Sequence, residues 1–218
     1  MESLDQLDKS LMLWLNYDGG AWQDAVWYYV SQTWFWIPLY LWLLWIIWRR
    51  CANEGREGKE GKEYNGVRHN WKPFLLILLC IALVILIADQ TASGLIKHLV
   101  ERPRPSRDDS GISEWIHIVY DYRGGHYGFV SSHAANTCGL ALFVTLLLKK
   151  GLPQPTSCKG WHSTSAVCSL LAIYVLLTCY SRIYLGVHYP GDILGGLLVG
   201  ILSALLVYYI YKKVRRHV

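Results

Sequence analysis

Charged side chains are scarce in this sequence. Asp, Glu, Lys and Arg make up 17% of its 218 residues, while 53% are hydrophobic. Soluble domains usually carry about 25% charged residues, and the distribution of the apolar residues argues against an ordinary soluble domain. A metal-binding or disulfide framework is missing as well. There are six cysteines and no CxxC spacing. Cys80, Cys138, Cys168 and Cys179 sit inside apolar runs, and Cys51 and Cys158 lie in short polar loops. They read as small, membrane-compatible residues rather than zinc ligands or bridge formers. No basic segment followed by an apolar run opens the chain. Met1 to Asp18 is amphipathic and acidic, so a cleavable signal is not expected.

What is present is a set of apolar runs of roughly 18 residues or more, long enough to cross a bilayer as helices. Five spans are expected, at about 26–48, 73–96, 129–148, 161–180 and 193–211. Pro38 falls inside the first, where neighbouring helices can accommodate it. Residues 1–24 place Leu4, Leu7, Leu11, Trp14 and Leu15 near one helical stripe with Asp5 and Asp8 off it, the pattern of a helix lying on the bilayer. The expected architecture is one all-α domain over residues 1–218: a polytopic transmembrane helical bundle of five spans plus an N-terminal interfacial helix, six helices in all. Eleven tryptophans and fifteen tyrosines suit aromatic belts at the two interfaces.

The net charge of +5 does not point to nucleic acid, because the cations cluster beside the apolar spans. The 49–72 loop, with its Gly55–Glu63 repeat of Gly, Lys and Glu, the 149–160 turn and the C-terminal Lys212, Lys213, Arg215 and Arg216 share one side and are rich in Lys and Arg. The positive-inside rule makes that side the cytoplasm. The 97–128 loop and the 181–192 stretch then lie on the outer face. Arg102, Arg104, Arg107 and Arg123 in the first of these run against the rule, and five acidic residues there offset them.

Three polar constellations sit at outer ends of spans. Lys97-His98-Leu99-Val100-Glu101-Arg102-Pro103-Arg104-Pro105 follows the second span. Such cations also serve as snorkelling anchors, although the two prolines favour a rigid placement of Arg104. Phe129-Val130-Ser131-Ser132-His133-Ala134-Ala135-Asn136 opens the third span. Its serines, free backbone N–H groups and helix dipole make an anion site, although a lone histidine at a helix start is also a structural residue. Ser181-Arg182-Ile183-Tyr184-Leu185-Gly186-Val187-His188-Tyr189-Pro190-Gly191-Asp192 joins the last two spans. Histidine followed four residues later by aspartate suggests an imidazole polarised by a carboxylate. Asp192 serves equally well as the N-cap of the last helix.

Together these stretches supply Lys97, Arg104 and Arg182 as cations, His133 and His188 as imidazoles, and Asp192 to orient one of them. That inventory suits phosphoryl transfer. Cations neutralise the equatorial oxygens, one imidazole attacks phosphorus, and the other protonates the leaving oxygen. Carboxylates do not cluster in pairs, so no metal is expected. A zinc site drawn from His117, His126, His133 and His188 is the geometric alternative.

Lys97-x6-Arg104-Pro105, then Ser131-Ser132-His133, then Ser181-Arg182-x5-His188-x3-Asp192 resembles the three-part signature of the type 2 phosphatidic acid phosphatase superfamily. The resemblance departs at Val130-Ser131-Ser132-His133, where the family usually reads Pro-Ser-Gly-His. It implies His188 as the nucleophile of a phosphohistidine intermediate, Asp192 as its orienting partner and His133 as general acid, then general base. It implies Lys97, Arg104, Arg182 and Ser131 as the phosphate cradle, with Ser132 a further donor, and no cofactor or metal. Spacing from Lys97 selects Arg104 over Arg102, which with Arg123 and His126 is left for a substrate headgroup. Asp89 inside the second span is expected either to support Lys97 or to pack helices. Gly196 and Gly200 are expected to make a close helix contact within the chain.

The function expected on this basis is a metal-independent integral-membrane lipid phosphatase. It would act on a phosphate monoester or diphosphate of a membrane lipid: undecaprenyl diphosphate, phosphatidylglycerophosphate, phosphatidate or a lipid A phosphate. The alternatives are a lipid phosphotransferase using the same intermediate and a non-catalytic binder of anionic lipid. The expected location is a bacterial inner membrane with the site facing the periplasm. The bilayer and a phosphorylated lipid are the expected partners, nucleic acid is not, and the oligomeric state is left open.

Overall fold

The computed structural model describes residues 2–57, 71–152 and 163–216, with side chains for all of these except Glu2 and residues 53–57. Most of the Gly55–Glu63 repeat and most of the 149–160 turn lie outside the described residues, as does Cys158.

Seven helices are present among the described residues, where six were expected. They are α1 (Glu2–Leu15), α2 (Ala21–Val30), α3 (Ile37–Glu57), α4 (Lys72–Val100), α5 (Ser132–Leu146), α6 (Thr164–Tyr184) and α7 (Pro190–Arg215). The extra helix comes from the first expected span, which is broken. A 3₁₀ turn, Thr33–Trp36, separates α2 from α3, and the two parts meet at 72°. Pro38 is therefore not inside a continuous helix; it is the second residue of α3, where a missing N–H costs nothing. Trp36 Nε1 donates to the Val30 carbonyl at 2.8 Å and satisfies one of the acceptors the break exposes.

α4 is not uniform. It runs as α-helix to Asp89, as π-helix over Gln90–Ile96, and closes with an α turn, Lys97–Val100. π segments recur at functional sites because they reset which face a side chain takes. Here the reset falls immediately before Lys97. α5 likewise ends in a π segment, Leu147–Gly151.

Three helices, α4, α6 and α7, are long and apolar enough to cross a membrane, or four crossings if the bent α2–α3 pair counts as one. α5 is the central helix, with Ala134, Ala135, Thr137, Gly139, Ala141, Phe143 and Val144 buried. It meets α7 at Gly196 and Gly200, where an added Cβ would collide with the carbonyl oxygens of Ser131 and Ala135. The expected glycine pair thus makes a contact within the chain. Val84, Phe143, Leu147, Leu171, Ala204 and Val207 fill the core between helices. α7 turns Leu194, Leu198, Leu202, Leu205 and Leu206 outward, as a lipid-facing helix does.

Candidate active site

Short backbone links gather the three constellations. Ser106 N donates to Gly186 O at 3.1 Å, joining the loop after α4 to the α6–α7 turn. Ser131 N donates to Asp192 O at 2.9 Å, joining the start of α5 to that of α7. Lys97 Nζ donates to Ser132 Oγ at 2.8 Å, joining α4 to α5.

Arg182 lies on the last turn of α6, and Gly186 reverses the chain with φ of 73°, a conformation that favours glycine. Pro190 then starts α7. Asp192 is not the N-cap; Tyr189 is, and Asp192 closes a capping box from the third position. Its Oδ2 accepts from Tyr189 N at 3.0 Å and lies 3.4 Å from His188 Nδ1. One carboxylate oxygen thus serves both the helix start and the imidazole.

Arg104, Arg182, His188 and Asp192 are 7%, 2%, 1% and 0% exposed, so the site is largely removed from water. Among the described residues, Lys97, Arg104 and Arg182 pair with no carboxylate. Neutral groups hold them instead. Arg104 Nε donates to Tyr127 O at 3.1 Å, and Arg182 Nη1 donates to Ser31 Oγ at 2.7 Å. Arg182 Nη2 contacts Tyr122 Oη at 3.4 Å. Arg104 Nη1 and Arg182 Nε are buried donors without a partner. Buried cations without an anion are costly, and a bound anion relieves that cost.

Charge and burial also set protonation in the loops. Burial, then the nearby Arg104 and Arg182, pushes the His188 imidazole well below its ordinary 6.5, so it is neutral at neutral pH. Burial, then Arg182, brings Arg104 down to about 10, which still leaves it charged.

His133 is half-buried one residue into α5 and, with Ser132, opens onto a cavity of about 460 Å³. Tyr40, Leu43, Ile81, Leu140 and Val144 line its apolar depth. His188 is not among the lining residues. Ser131 caps α5, its Oγ accepting from Ala134 N at 3.4 Å, and keeps its hydroxyl proton for donation. Ser132 Oγ also meets Ser93 Oγ at 2.8 Å.

Several expectations change. Asp89 accepts from Asn136 Nδ2 at 3.2 Å, a contact between α4 and α5, and acts on Lys97 through its charge without a hydrogen bond to it, so it serves both expected ends. Arg102 is not free for a headgroup, because Asp5, Asp8 and Asp192 all accept from it. Arg123 and His126 are on the exposed rim, paired with Asp121 and Asp109. The four histidines of the zinc alternative are not gathered, since His117 Nε2 goes to Asp24 Oδ1 at 2.8 Å. Asp18, Asp24 and His117 do lie close enough to share an ion. Tyr184 and Gly20 already donate to those carboxylates.

Sequence reasoning missed Ser31 and Tyr122, which hold Arg182, and Asn16. Asn16 Nδ2 donates to the carbonyls of His117, Ile183 and Tyr184, and its Oδ1 accepts from His117 N. Nothing in their local sequence signals these long-range roles.

A family model described as the PAP2 superfamily matches residues 74–216. A lipid A 4'-phosphatase of Bacteroides thetaiotaomicron is 30% identical over 98% of this chain and 80% of its own length. One from Porphyromonas gingivalis is 30% identical over 99% of this chain and 77% of its own. The crystal structure of a PAP2 type phosphatidylglycerolphosphate phosphatase from Bacillus subtilis superposes with a TM-score of 0.62, covering 98% of this chain and 88% of that one at 19% identity.

Proposed function

The chain belongs to the PAP2 superfamily as a membrane lipid phosphatase, and we propose that it hydrolyses a phosphate monoester on a lipid A-type headgroup through a phosphohistidine at His188. The observation that carries the mechanism is the set of three cations, the buried Arg104 and Arg182 and the half-buried Lys97, that lack any carboxylate partner among the described residues and lie near a neutral, buried imidazole. Such an arrangement is completed by a phosphoryl group.

In the first step the lone pair of His188 Nε2 forms a bond to phosphorus while the bond to the leaving oxygen breaks. His133 gives its proton to that oxygen. In the second step His133 takes a proton from water, the water oxygen bonds to phosphorus, and the phosphorus–nitrogen bond breaks to release inorganic phosphate. Asp192 holds His188 by Nδ1 and balances the positive charge the ring acquires. Lys97, Arg104, Arg182 and the Ser131 and Ser132 hydroxyls bind the phosphoryl oxygens. No step requires a metal.

Two observations support the substrate class. The relatives that span nearly all of the chain bear the name lipid A 4'-phosphatase, and the apolar cavity below His133 suits a hydrocarbon tail whose headgroup sits at the cations. The topology we propose has five crossings, with α5 enclosed among the others and α1 in the interface. The site then opens on the periplasmic face of a bacterial inner membrane.

The test is released phosphate from purified protein in detergent, with lipid A, phosphatidylglycerophosphate, phosphatidate and undecaprenyl diphosphate compared by kcat/KM. Lipid A is expected to lead. A different leader removes the substrate assignment, and turnover by His188→Ala removes the mechanism. Phosphate appearing on a second lipid instead of in solution makes the protein a transferase.

A further inference from the structure

The Arg102 guanidinium lies over the Tyr189 ring, 3.8 Å from its centroid. Nη1 donates to Asp192 Oδ1 at 3.1 Å and to Asp8 Oδ2 at 2.7 Å, and Nη2 donates to Asp5 Oδ1 at 2.9 Å. The other oxygen of Asp8 accepts from Gly191 N at 2.7 Å. α1 is therefore fastened to the first turn of α7 on both sides of the peptide bond that leads to Asp192.

Asp192 needs this partner. Its Oδ2 is engaged by His188 and Tyr189 N, while Oδ1 has Arg102 as its cation in a side chain closed to solvent. A buried carboxylate stays where it is only if both oxygens are satisfied and its charge is met. Lys97, Arg104 and Arg182 do not form that pair. Asp5 and Asp8 in turn fix the fork of Arg102, and their hydrogen bonds and charge, with that of Asp192, outweigh burial and hold it firmly protonated. The same helix turns Leu4, Leu7, Leu11 and Trp14 outward. Its acidic face is thus committed to the protein and its apolar face is not.

We propose that Arg102 is a positioning residue for the His188–Asp192 pair, and that α1 is a working part of the active site because Asp5 and Asp8 hold Arg102 in place. The proposal rests on His188 being the nucleophile. It predicts a particular division of effects. Loss of Arg102 leaves phosphate binding intact and slows the attack, because the imidazole is no longer aimed.

The experiment uses the full chain in detergent with Arg102→Ala, Arg102→Lys, the double variant Asp5→Asn/Asp8→Asn, and His188→Ala. It reads kcat, KM, inhibition by inorganic phosphate, and the folded fraction from a thermal melt. Arg102→Ala is expected to lower kcat roughly 10- to 100-fold, the scale seen when partners of a functional ligand are removed. KM and the phosphate inhibition constant should stay within about twofold. Arg102→Lys restores charge without the fork and should recover part of kcat. The double variant should fall in the same direction by a smaller factor. A rise in KM or in the phosphate inhibition constant with kcat intact makes Arg102 a substrate contact and overturns the proposal. So does unchanged kcat in folded Arg102→Ala, or a loss of activity that only tracks loss of folded protein. Should Arg102→Ala fail to fold, a normal kcat in folded Arg102→Lys and in the double variant overturns it equally. Turnover by His188→Ala removes the nucleophile and this proposal with it, whereas an inactive His188→Ala beside a normal Arg102→Ala removes this proposal alone.

Discussion

Arg182 and Ser31 meet at 2.7 Å, the guanidinium Nη1 donating to the hydroxyl across the break between α2 and α3. The bend is what brings Ser31 to the site. A straight span through residues 26–48 would carry that residue along the helix instead. The corner of the broken first span thus supplies the acceptor that orients Arg182, an arginine of the proposed phosphate cradle.

Ser31→Ala follows directly. It leaves Arg182 Nη1 without that acceptor, beside an Nε that already lacks a partner. An unpaired buried donor costs about 1–3 kcal/mol. If that cost falls on the placement of the guanidinium at the proposed phosphoryl site, kcat/KM falls roughly 5- to 150-fold. Steady-state kinetics on the folded variant checks this; an unchanged kcat/KM means that Tyr122 and the α6 backbone alone fix Arg182.

The three constellations were legible because each is local. Histidine and aspartate four apart straddle the start of α7, and the Lys97–Arg104 spacing falls entirely after the π segment over Gln90–Ile96. What was not legible depends on long-range packing. Ser31 and Asn16 lie more than a hundred residues from the groups they hold, and Pro38 reads the same inside a span or at a helix start. Arg102 was visible as a cation, but its three carboxylate partners come from two other helices. The role of Asp89 stayed open for the same reason: its partner Asn136 lies on another helix.

The protonation of His188 gives a pH prediction. Its pKa in the folded protein is lowered, first by burial and then by Arg104, Arg182 and Lys97. The neutral imidazole, the proposed nucleophile, therefore persists below the ordinary imidazole range, and the acid limb of kcat/KM due to this group should lie below about pH 6.5. Arg104→Gln removes one of the cations that lower it, so the limb moves to higher pH while the maximum falls. The linked stability has a definite sign. A histidine kept neutral when folded takes up its proton more readily when unfolded, so its contribution is present above the unfolded pKa and is lost as pH falls through and below about 6.5. A limb that does not move in Arg104→Gln assigns it to another group.

Gly196→Ala and Gly200→Ala should destabilise the bundle. The new methyl meets backbone carbonyls of α5, which cannot rotate away. Overpacking of this kind costs about 1–3 kcal/mol. Thermal melts in detergent measure it. Gly196→Ala should also reduce activity at temperatures where it stays folded, because the carbonyl it displaces belongs to Ser131; a full-rate Gly196→Ala would show that α5 tolerates the shift.

Chelation separates the two ways of supplying positive charge. In the proposed mechanism Lys97, Arg104 and Arg182 supply three cations to the phosphoryl group, so activity should persist in excess EDTA. Asp18, Asp24 and His117 are near enough to bind an ion, but their carboxylates are held by Tyr184 and Gly20. A loss of activity in EDTA that zinc restores would put a metal into the reaction.

The cavity beneath His133 makes the last prediction. It descends along α5 from Ser132 past Asn136 to Leu140 and Val144, a rise of about 18 Å at 1.5 Å per residue. Leu140→Trp places an indole across it, well below the imidazoles and the cations. A lipid whose tail must enter loses binding, while a short soluble phosphate monoester does not use the lower part. The expected result is a KM for the long-chain substrate raised roughly tenfold, corresponding to about 1.4 kcal/mol of lost tail burial, with kcat and KM for a short-chain phosphate unchanged. Equal losses on both substrates would mean that the indole has distorted α5. No change on either would place the tail outside the bundle, against the lipid-facing surface of α7.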